Sequence, residues 1–256
     1  MTRRASPPVA ASTCAGVTTV GAHGYRRGVT TRLLLMRHGQ THSNVAGALD
    51  TGEPGADLTP LGVRQAEAAA VALEGTEIHG VAVSRLVRTH QTVAPLARRR
   101  GLEPRVAAGI EEISAGELEM ASDHDSVHAW ITTVGSWLDG DLDVRMPGGE
   151  SGHEFMARYD AGVAAALADA EPGSATLAVS HGGAIRVWAT LRAADRHRLP
   201  PLHQHIENTG LITLDLPAGA DPASPTWEVA DAHLEPLGGH LLADHDAPDP
   251  TGDTID

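Results

Sequence analysis

Cysteine is almost absent from this sequence, since Cys14 is the only one among 256 residues. A single thiol excludes an intrachain disulfide, and it excludes a metal site built from several cysteines. Chains without structural disulfides are typical of reducing compartments, so we expect a cytoplasmic protein.

Aromatic residues are also scarce, at 3% of the chain. The core therefore has to be built largely from Ala, Val, Leu and Ile, which suits helices packed on a sheet. Long apolar runs are missing as well. The runs at 33–36 and 177–179 have the length of strands, whereas a membrane-spanning helix needs about 18–20 apolar residues. We therefore expect a soluble protein that has no membrane partner.

Positive charge is in deficit, because the formal net charge is −14. Such a chain is a poor candidate for wrapping a nucleic acid or lying on an anionic membrane. A small anionic substrate is still compatible with this charge, because exposed charges are screened beyond roughly 8–10 Å in physiological salt. A local cluster of Arg and His would be sufficient to bind it.

Both ends of the chain have the composition of unfolded segments. Residues 1–30 are rich in Pro, Ser, Thr, Ala and Gly, and residues 240–256 are acidic with repeated Asp and Pro. We predict a disordered leader at 1–30, one folded domain at 31–239 and an acidic flexible tail at 240–256. Polar residues interrupt the apolar part of the leader, which favours a disordered leader or an overlong start over a signal peptide.

Between the tails, short apolar runs alternate with Ala-rich stretches of helical period. This alternation is typical of a three-layer α/β/α fold with a mostly parallel central sheet. The predicted strands are 31–37, 80–84, 104–107 and 175–180, and a terminal hairpin covers 210–230. The predicted helices are 59–74, 87–100, 125–138 and 152–169, with a further one beginning near Gly183.

Polar clusters follow three of the predicted strands directly. They lie at 37–39, 84–88 and 180–182. Because ligands bind outside the carboxyl ends of the strands in open α/β sheets, we expect these clusters to converge in space.

The residues in these clusters suit a phosphoryl group. Arg37 and Arg88 provide forked donors that stay charged, and Asn44 adds a neutral donor. Of the two imidazoles, His38 and His181, one can attack phosphorus from a neutral nitrogen while the other donates a hydrogen bond. The sequence therefore predicts phosphoryl transfer through a histidine nucleophile.

Five segments occur in a fixed order along the chain. They read RHGQTHSN at 37–44, LTPLGVRQA at 58–66, SRLVRTHQT at 84–92, PGGE at 147–150 and SHGG at 180–183. In this order they resemble the histidine phosphatase superfamily, in its phosphoglycerate mutase-like branch, over about residues 31–215. The resemblance implies a phosphoglycerate mutase-like fold.

The resemblance also implies a mechanism. His38 would accept the phosphoryl group as phosphohistidine, His181 would stabilise it, and water would release phosphate from a small phosphorylated substrate. No metal and no cofactor are implied. The residues expected to bind the phosphate are Arg37, Asn44, Arg88, Gly39, Thr41 and Gly182.

The general acid that the resemblance implies lies at 110–120, where Glu112 takes the family position. Glu111 is the alternative, because a shift of one residue would exchange the two. Two departures from the family border this position, namely Leu118-Glu119-Met120 in place of W-E-G and a short insertion within 45–57. The identity of the leaving group is therefore left open.

Two other functions stay open beside a metal-independent phosphomonoesterase. One is a phosphoglycerate mutase-type transfer, and the other is a noncatalytic phosphate-binding module. Homodimer formation is also left open.

Overall fold

The computed structural model describes residues 29–200 and 205–251. Its centre is a six-stranded sheet with the order β3-β2-β4-β1-β5-β6. The strands are β1 (Val29–Arg37), β2 (Gly80–Val83), β3 (Arg105–Val106), β4 (Ser174–Ser180), β5 (Leu211–Pro217) and β6 (Glu228–His233).

The sheet is parallel from β3 to β1. β1 pairs with β4 so that Arg37 lies opposite Ser180, and β4 pairs with β2 so that Val179 lies opposite Val83. β5 runs antiparallel to both of its neighbours, β1 and β6. The predicted mostly parallel sheet is confirmed, and the carboxyl ends of β1, β2 and β4 meet at one edge.

Helices cover both faces of this sheet. Within the described residues they are α1 (His42–Ala46), α2 (Pro60–Ala72), α3 (Val87–Arg100), α4 (His124–Leu138), α5 (Gly152–Ala166) and α6 (Gly182–Arg192). Three short 3-10 helices lie at Gly116–Leu118, Arg196–Arg198 and His240–Leu242.

Local chemistry sets the ends of the two best-predicted helices. The Thr59 side chain accepts from the Gly62 amide at 3.0 Å, and Pro60 occupies the first helical position, so α2 begins there. Gly101 ends α3 in the left-handed conformation with φ +65°. Both helices confirm predictions from the sequence.

The side chains of β1 pack alternately into two hydrophobic clusters. Leu34 and Met36 pack in the cluster that includes residues of α2 and α3, and Leu33 and Leu35 pack in the cluster that includes residues of α4, α5 and α6. The three-layer prediction is therefore confirmed.

The scarce aromatic residues are concentrated on the second of these faces. Ring contacts run in series with centroids 5.5–5.7 Å apart, through Trp137, Phe155, Tyr159, Trp188 and Trp227. The other face is aliphatic, as the composition predicts for the whole core.

The C-terminal arm, defined here as residues 240–251, differs from the prediction of a flexible tail. Gln65 Nε2 donates to the Leu242 carbonyl at 2.8 Å, and both Asp249 and Thr251 are buried. An acidic composition predicts disorder only where the carboxylates find no specific donors, and here they find them.

The predicted leader lies almost wholly outside the described residues, and the domain boundaries at 30 and 239 stay predictions. No helix among the described residues is long and apolar enough to cross a membrane.

Candidate active site

The ends of β1 and β4 bring the two His-Gly pairs together. His38 follows β1 and His181 follows β4, and the His38 amide donates to the Ser180 carbonyl at 3.0 Å. The imidazole centroids lie 5.1 Å apart at an interplanar angle of 59°. The fold therefore brings these two clusters together, as the sequence predicts.

The hydrogen bond made by His38 fixes its tautomer. Its Nδ1 lies 2.8 Å from the Gly39 carbonyl oxygen. Because a carbonyl only accepts, Nδ1 carries the proton and Nε2 keeps its lone pair. Burial, followed by the charges of Arg88 and Arg37, holds the pKa of His38 well below its ordinary 6.5. His38 is therefore a neutral imidazole with a nucleophilic Nε2 at neutral pH.

His181 is fully buried and is held from one side by Ser84. Its Nε2 lies 2.9 Å from Ser84 Oγ, whereas its Nδ1 has no hydrogen-bond partner within the described part of the chain. Burial, followed by the charge of Arg88, holds the pKa of His181 well below 6.5. Nδ1 is thus the atom of this ring that is left for a ligand.

Two buried guanidinium groups carry further unpartnered donors. Arg88 Nη2 donates to the Asp50 carbonyl at 2.8 Å, and Arg37 Nη1 donates to the Ile206 carbonyl at 2.6 Å. Among the described residues, Arg88 Nε, Arg88 Nη1 and Arg37 Nε have no hydrogen-bond partner. Buried donors are normally satisfied, so a group of them around two histidines indicates a site for an anion.

A capping box at the start of α1 orients Asn44. Asn44 Oδ1 accepts from the Thr41 amide at 2.8 Å and from Thr41 Oγ1 at 3.0 Å. The amide group Nδ2 is thereby turned away from Thr41 and donates to Asp249 Oδ1 at 2.7 Å. Both donors of Thr41 are used in the box, so Thr41 positions Asn44, and its contact with phosphate stays a prediction.

The two glycines predicted to bind phosphate differ in their surroundings. The Gly39 amide donates to Thr92 Oγ1 at 2.9 Å, and a Cβ at Gly39 would lie 2.7 Å from the Gly62 carbonyl oxygen. Gly39 therefore allows two backbone segments to pack, and its amide is not available to a ligand. Gly182 lies at the site itself, because a Cβ there would be 3.0 Å from Arg37 Nε.

Two adjacent glutamates have opposite electrostatic environments. Burial raises the pKa of Glu112, although its carboxylate accepts from the Ile113 and Ala184 amides at 2.9 and 2.8 Å. Burial acts in the same direction on Glu111, but hydrogen bonds from the Gly109 amide and Arg85 outweigh it and lower its pKa. Of the two, Glu112 is the one whose surroundings favour the protonated form.

A cavity of about 410 Å³ lies beside these glutamates. Most of the residues that line it are polar or charged, and they include Thr51, Arg85, Glu111, Glu112 and Arg158. The two segments that depart from the family pattern meet at this wall, because Glu119 Oε1 accepts from the amides of Thr51 and Gly52, each at 2.9 Å.

Three residues that face the site were not predicted. Ser84 lies in the cluster at 84–88, whose convergence with 180–182 was predicted, but its hydrogen bond with His181 was not. Asp50 lies in the insertion beside Arg88, with its Oδ2 3.6 Å from Nη1. Asp249 lies in the segment predicted to be flexible, and its contacts with Arg37 and Asn44 join distant parts of the chain.

Metal ligation has no support from the arrangement of side chains. In the ranges 29–200 and 205–251, no group of three or more His, Cys, Asp or Glu residues is placed to hold a metal ion. His203 lies outside the described residues, and His205, His240 and His245 form no such group.

Known proteins are similar to this chain in sequence. A model of the histidine phosphatase superfamily (branch 1) matches residues 33–224. A probable phosphoglycerate mutase GpmB from Proteus mirabilis (strain HI4320) is 34% identical over 157 residues, which is 60% of this chain and 71% of that protein. PE-PGRS family protein PE_PGRS11 of Mycobacterium tuberculosis (strain ATCC 25618 / H37Rv) is 33% identical over 195 residues, or 70% of this chain, and the match spans only 33% of that protein.

Solved structures agree with the sequence relatives. A mycobacterial glucosyl-3-phosphoglycerate phosphatase superposes with a TM-score of 0.63 at 28% identity, covering 79% of this chain and 98% of that chain. The match to the family model spans most of the chain, including His38, Arg88 and His181. The chain belongs to the histidine phosphatase superfamily, branch 1.

Proposed function

We propose that this protein is a metal-independent phosphomonoesterase that acts through a phosphohistidine at His38. One observation carries the proposal. A buried, neutral imidazole keeps its Nε2 lone pair beside a set of buried donors that have no partner in the described residues. A nucleophile and a preorganised anion site are the two parts that transfer of a phosphoryl group requires.

In the first step, His38 Nε2 attacks phosphorus and the bond from phosphorus to the leaving oxygen breaks. Arg37, Arg88 and His181 Nδ1 stabilise the charge on the nonbridging oxygens. Glu112 gives its proton to the leaving oxygen, so the product departs as an alcohol. The positive donors take the part that a metal ion plays in many other phosphatases.

In the second step, Glu112 is a carboxylate and takes a proton from water as the water attacks the phosphohistidine. The bond from His38 Nε2 to phosphorus breaks, inorganic phosphate leaves, and both residues return to their starting protonation states. Glu111 does not suit this cycle, because its pKa is lowered by the Gly109 amide and Arg85 against the effect of burial.

We further propose a small, polar leaving group. The cavity beside Glu112 has room for a group of modest size, and charged residues such as Glu53, Arg85 and Arg158 line it. The similar mycobacterial structure is named as a glucosyl-3-phosphoglycerate phosphatase, and a polar leaving group of that kind is consistent with such a cavity. The Proteus mirabilis relative is named as a probable phosphoglycerate mutase, so transfer within a phosphoglycerate is the second candidate.

The test is a panel of phosphomonoesters assayed in EDTA, with p-nitrophenyl phosphate as the reference. We expect turnover by the wild-type protein and none by His38→Ala. His42→Ala is the matched control, because His42 is exposed on α1 and should keep full activity. Equal turnover by His38→Ala would refute the proposal, and isomerisation of 3-phosphoglycerate that depends on a bisphosphate primer would favour the mutase.

A further inference from the structure

The C-terminal arm crosses the mouth of the candidate site. Gln40 Nε2 donates to Asp244 Oδ2 at 2.7 Å, and Gln65 Nε2 donates to the Leu242 carbonyl at 2.8 Å. Further along, the Pro248 ring lies against Gly47, where a Cβ would be 2.9 Å from Pro248 Cγ. The arm is thus attached by residues of the segments that build the site.

The carboxylate of Asp249 binds two of the donors assigned to the phosphate. Asp249 Oδ1 accepts from Arg37 Nη2 at 2.6 Å and from Asn44 Nδ2 at 2.7 Å. Burial alone would raise the pKa of Asp249, but the charge of Arg37 and these hydrogen bonds outweigh it and lower the pKa. Asp249 is therefore an anion at neutral pH, with the same kind of acceptor oxygen as a phosphoryl group.

With the arm in place, few donors of Arg37 and Asn44 are left for a substrate. Arg37 Nη1 is used by Ile206, and Nη2 is shared between Asp249 and Thr251. Asn44 has its Oδ1 fixed by the capping box and its Nδ2 on Asp249. The arm also covers Gly182, because a Cβ there would lie 2.6 Å from the Thr251 carbonyl oxygen.

We propose that the C-terminal arm is an intramolecular competitor of the substrate, in which Asp249 occupies part of the phosphate site and leaves when a phosphoryl group binds. The proposal rests on the proposed function only in taking Arg37 and Asn44 as phosphate donors. The arm is suited to leave because polar contacts hold much of it. Leu241, one of its two leucines, is 84% exposed. Segments with few buried apolar contacts open at low cost.

The alternative role for Asp249 is that of a fixed positioning residue for Arg37. Two full-length variants distinguish this role from that of a competitor. Asp249→Asn removes the competing charge at the site. Asp244→Asn weakens the attachment at Gln40, which is not one of the donors assigned to the phosphate, and so loosens the arm without removing any of those donors. The control is Asp246→Asn, because Asp246 is exposed on the same arm.

The experiment measures the Kd of inorganic phosphate by calorimetry and the KM and kcat of p-nitrophenyl phosphate for each variant. A competitor predicts that Asp249→Asn lowers both Kd and KM by about tenfold, the size of one charge-assisted hydrogen bond. It predicts a smaller decrease in both for Asp244→Asn, and no change for Asp246→Asn.

A higher or unchanged Kd in Asp249→Asn, or a lower kcat at constant KM, would overturn the inference. If Asp249→Asn fails to fold, the Asp244→Asn result decides alone, since an unchanged Kd there contradicts the competitor. If Asp249→Asn binds phosphate more tightly but neither the wild type nor any variant turns over substrate, the proposed phosphatase activity is refuted. The role of the arm as a competitor for phosphate would still stand.

Discussion

His38 and His181 lie with their ring centroids 5.1 Å apart at the ends of adjacent parallel strands. The two rings are held by different partners, since His38 Nδ1 donates to its neighbour's carbonyl and His181 Nε2 contacts Ser84. This leaves a nucleophilic nitrogen on His38, and on His181 a nitrogen with no hydrogen-bond partner within residues 29–200 and 205–251. In the proposed mechanism the pair divides the work of attack and charge stabilisation.

Glu112→Gln should lower kcat/KM for an alkyl phosphate by about 100- to 10,000-fold, the usual contribution of a general acid. The loss should be much smaller for p-nitrophenyl phosphate, because p-nitrophenolate leaves without a proton. Glu111→Gln is the matched control and should lose much less, since its carboxylate is bound by Arg85 and the Gly109 amide. Equal losses for both variants on the alkyl substrate would contradict the assignment of Glu112.

The pH profile should follow the two shifted pKa values. His38 must be neutral to attack, and its lowered pKa places the acidic decline of kcat/KM below pH 6.5. Glu112 must be protonated to donate, and its raised pKa places the alkaline decline above its ordinary 4.5. The kcat/KM for an alkyl phosphate should show both declines. For p-nitrophenyl phosphate the alkaline decline of kcat/KM should be much smaller. An alkaline decline of the same size with both substrates would speak against Glu112 as the acid.

Arg88→Lys keeps a positive charge but removes the fork that carries Nε and Nη1, two donors with no hydrogen-bond acceptor in the described residues. We expect kcat to fall by about 100- to 1,000-fold, the range seen when one donor to a transition-state oxyanion is removed. Arg98→Lys on the exposed end of α3 is the control and should match wild type. Steady-state kinetics on p-nitrophenyl phosphate measure both, and wild-type kcat in Arg88→Lys would refute its role.

Gly39→Ala should destabilise the fold by about 1–3 kcal/mol, the usual cost of overpacking. The added Cβ would lie 2.7 Å from a backbone oxygen of Gly62, which has no side chain that could move away. Gly75→Ala is the control, because a Cβ there meets nothing within 4 Å, and it should change the free energy of unfolding by less than about 0.5 kcal/mol. Urea unfolding compares the two, and equal midpoints would show that the close approach is not required.

Much of the fold could be predicted because its signals are local. The helix at 87–100 ends where Gly101 takes a left-handed conformation, and the helix after Thr59 begins with a cap and a proline, so both bounds follow from neighbouring residues. His38 and His181 could be predicted because each follows an apolar strand directly. The parallel sheet then brings them together.

The remaining features depend on contacts that no local pattern encodes. The helix His42–Ala46 has five residues, too few for a hydrophobic period, and only its capping box marks it. Asp249 lies in an acidic stretch whose composition predicts disorder, and its role follows from Arg37 and Asn44, which are distant in sequence. The hydrogen bonds from Thr41 to Asn44 could not be predicted either, because a motif gives positions and not the direction of hydrogen bonds.

Trapping of the phosphoenzyme tests the central claim most directly. Wild-type protein, Glu112→Gln and His38→Ala are mixed with a phosphomonoester, stopped in alkali, which preserves a bond from nitrogen to phosphorus, and digested for mass spectrometry. We predict one phosphoryl group on the imidazole of His38 in the wild type and in Glu112→Gln. In Glu112→Gln an activated ester still phosphorylates His38, and the phosphohistidine accumulates because its hydrolysis is slowed. No label is expected in His38→Ala. A phosphoryl group on another residue, or turnover without any label on His38, would contradict the account.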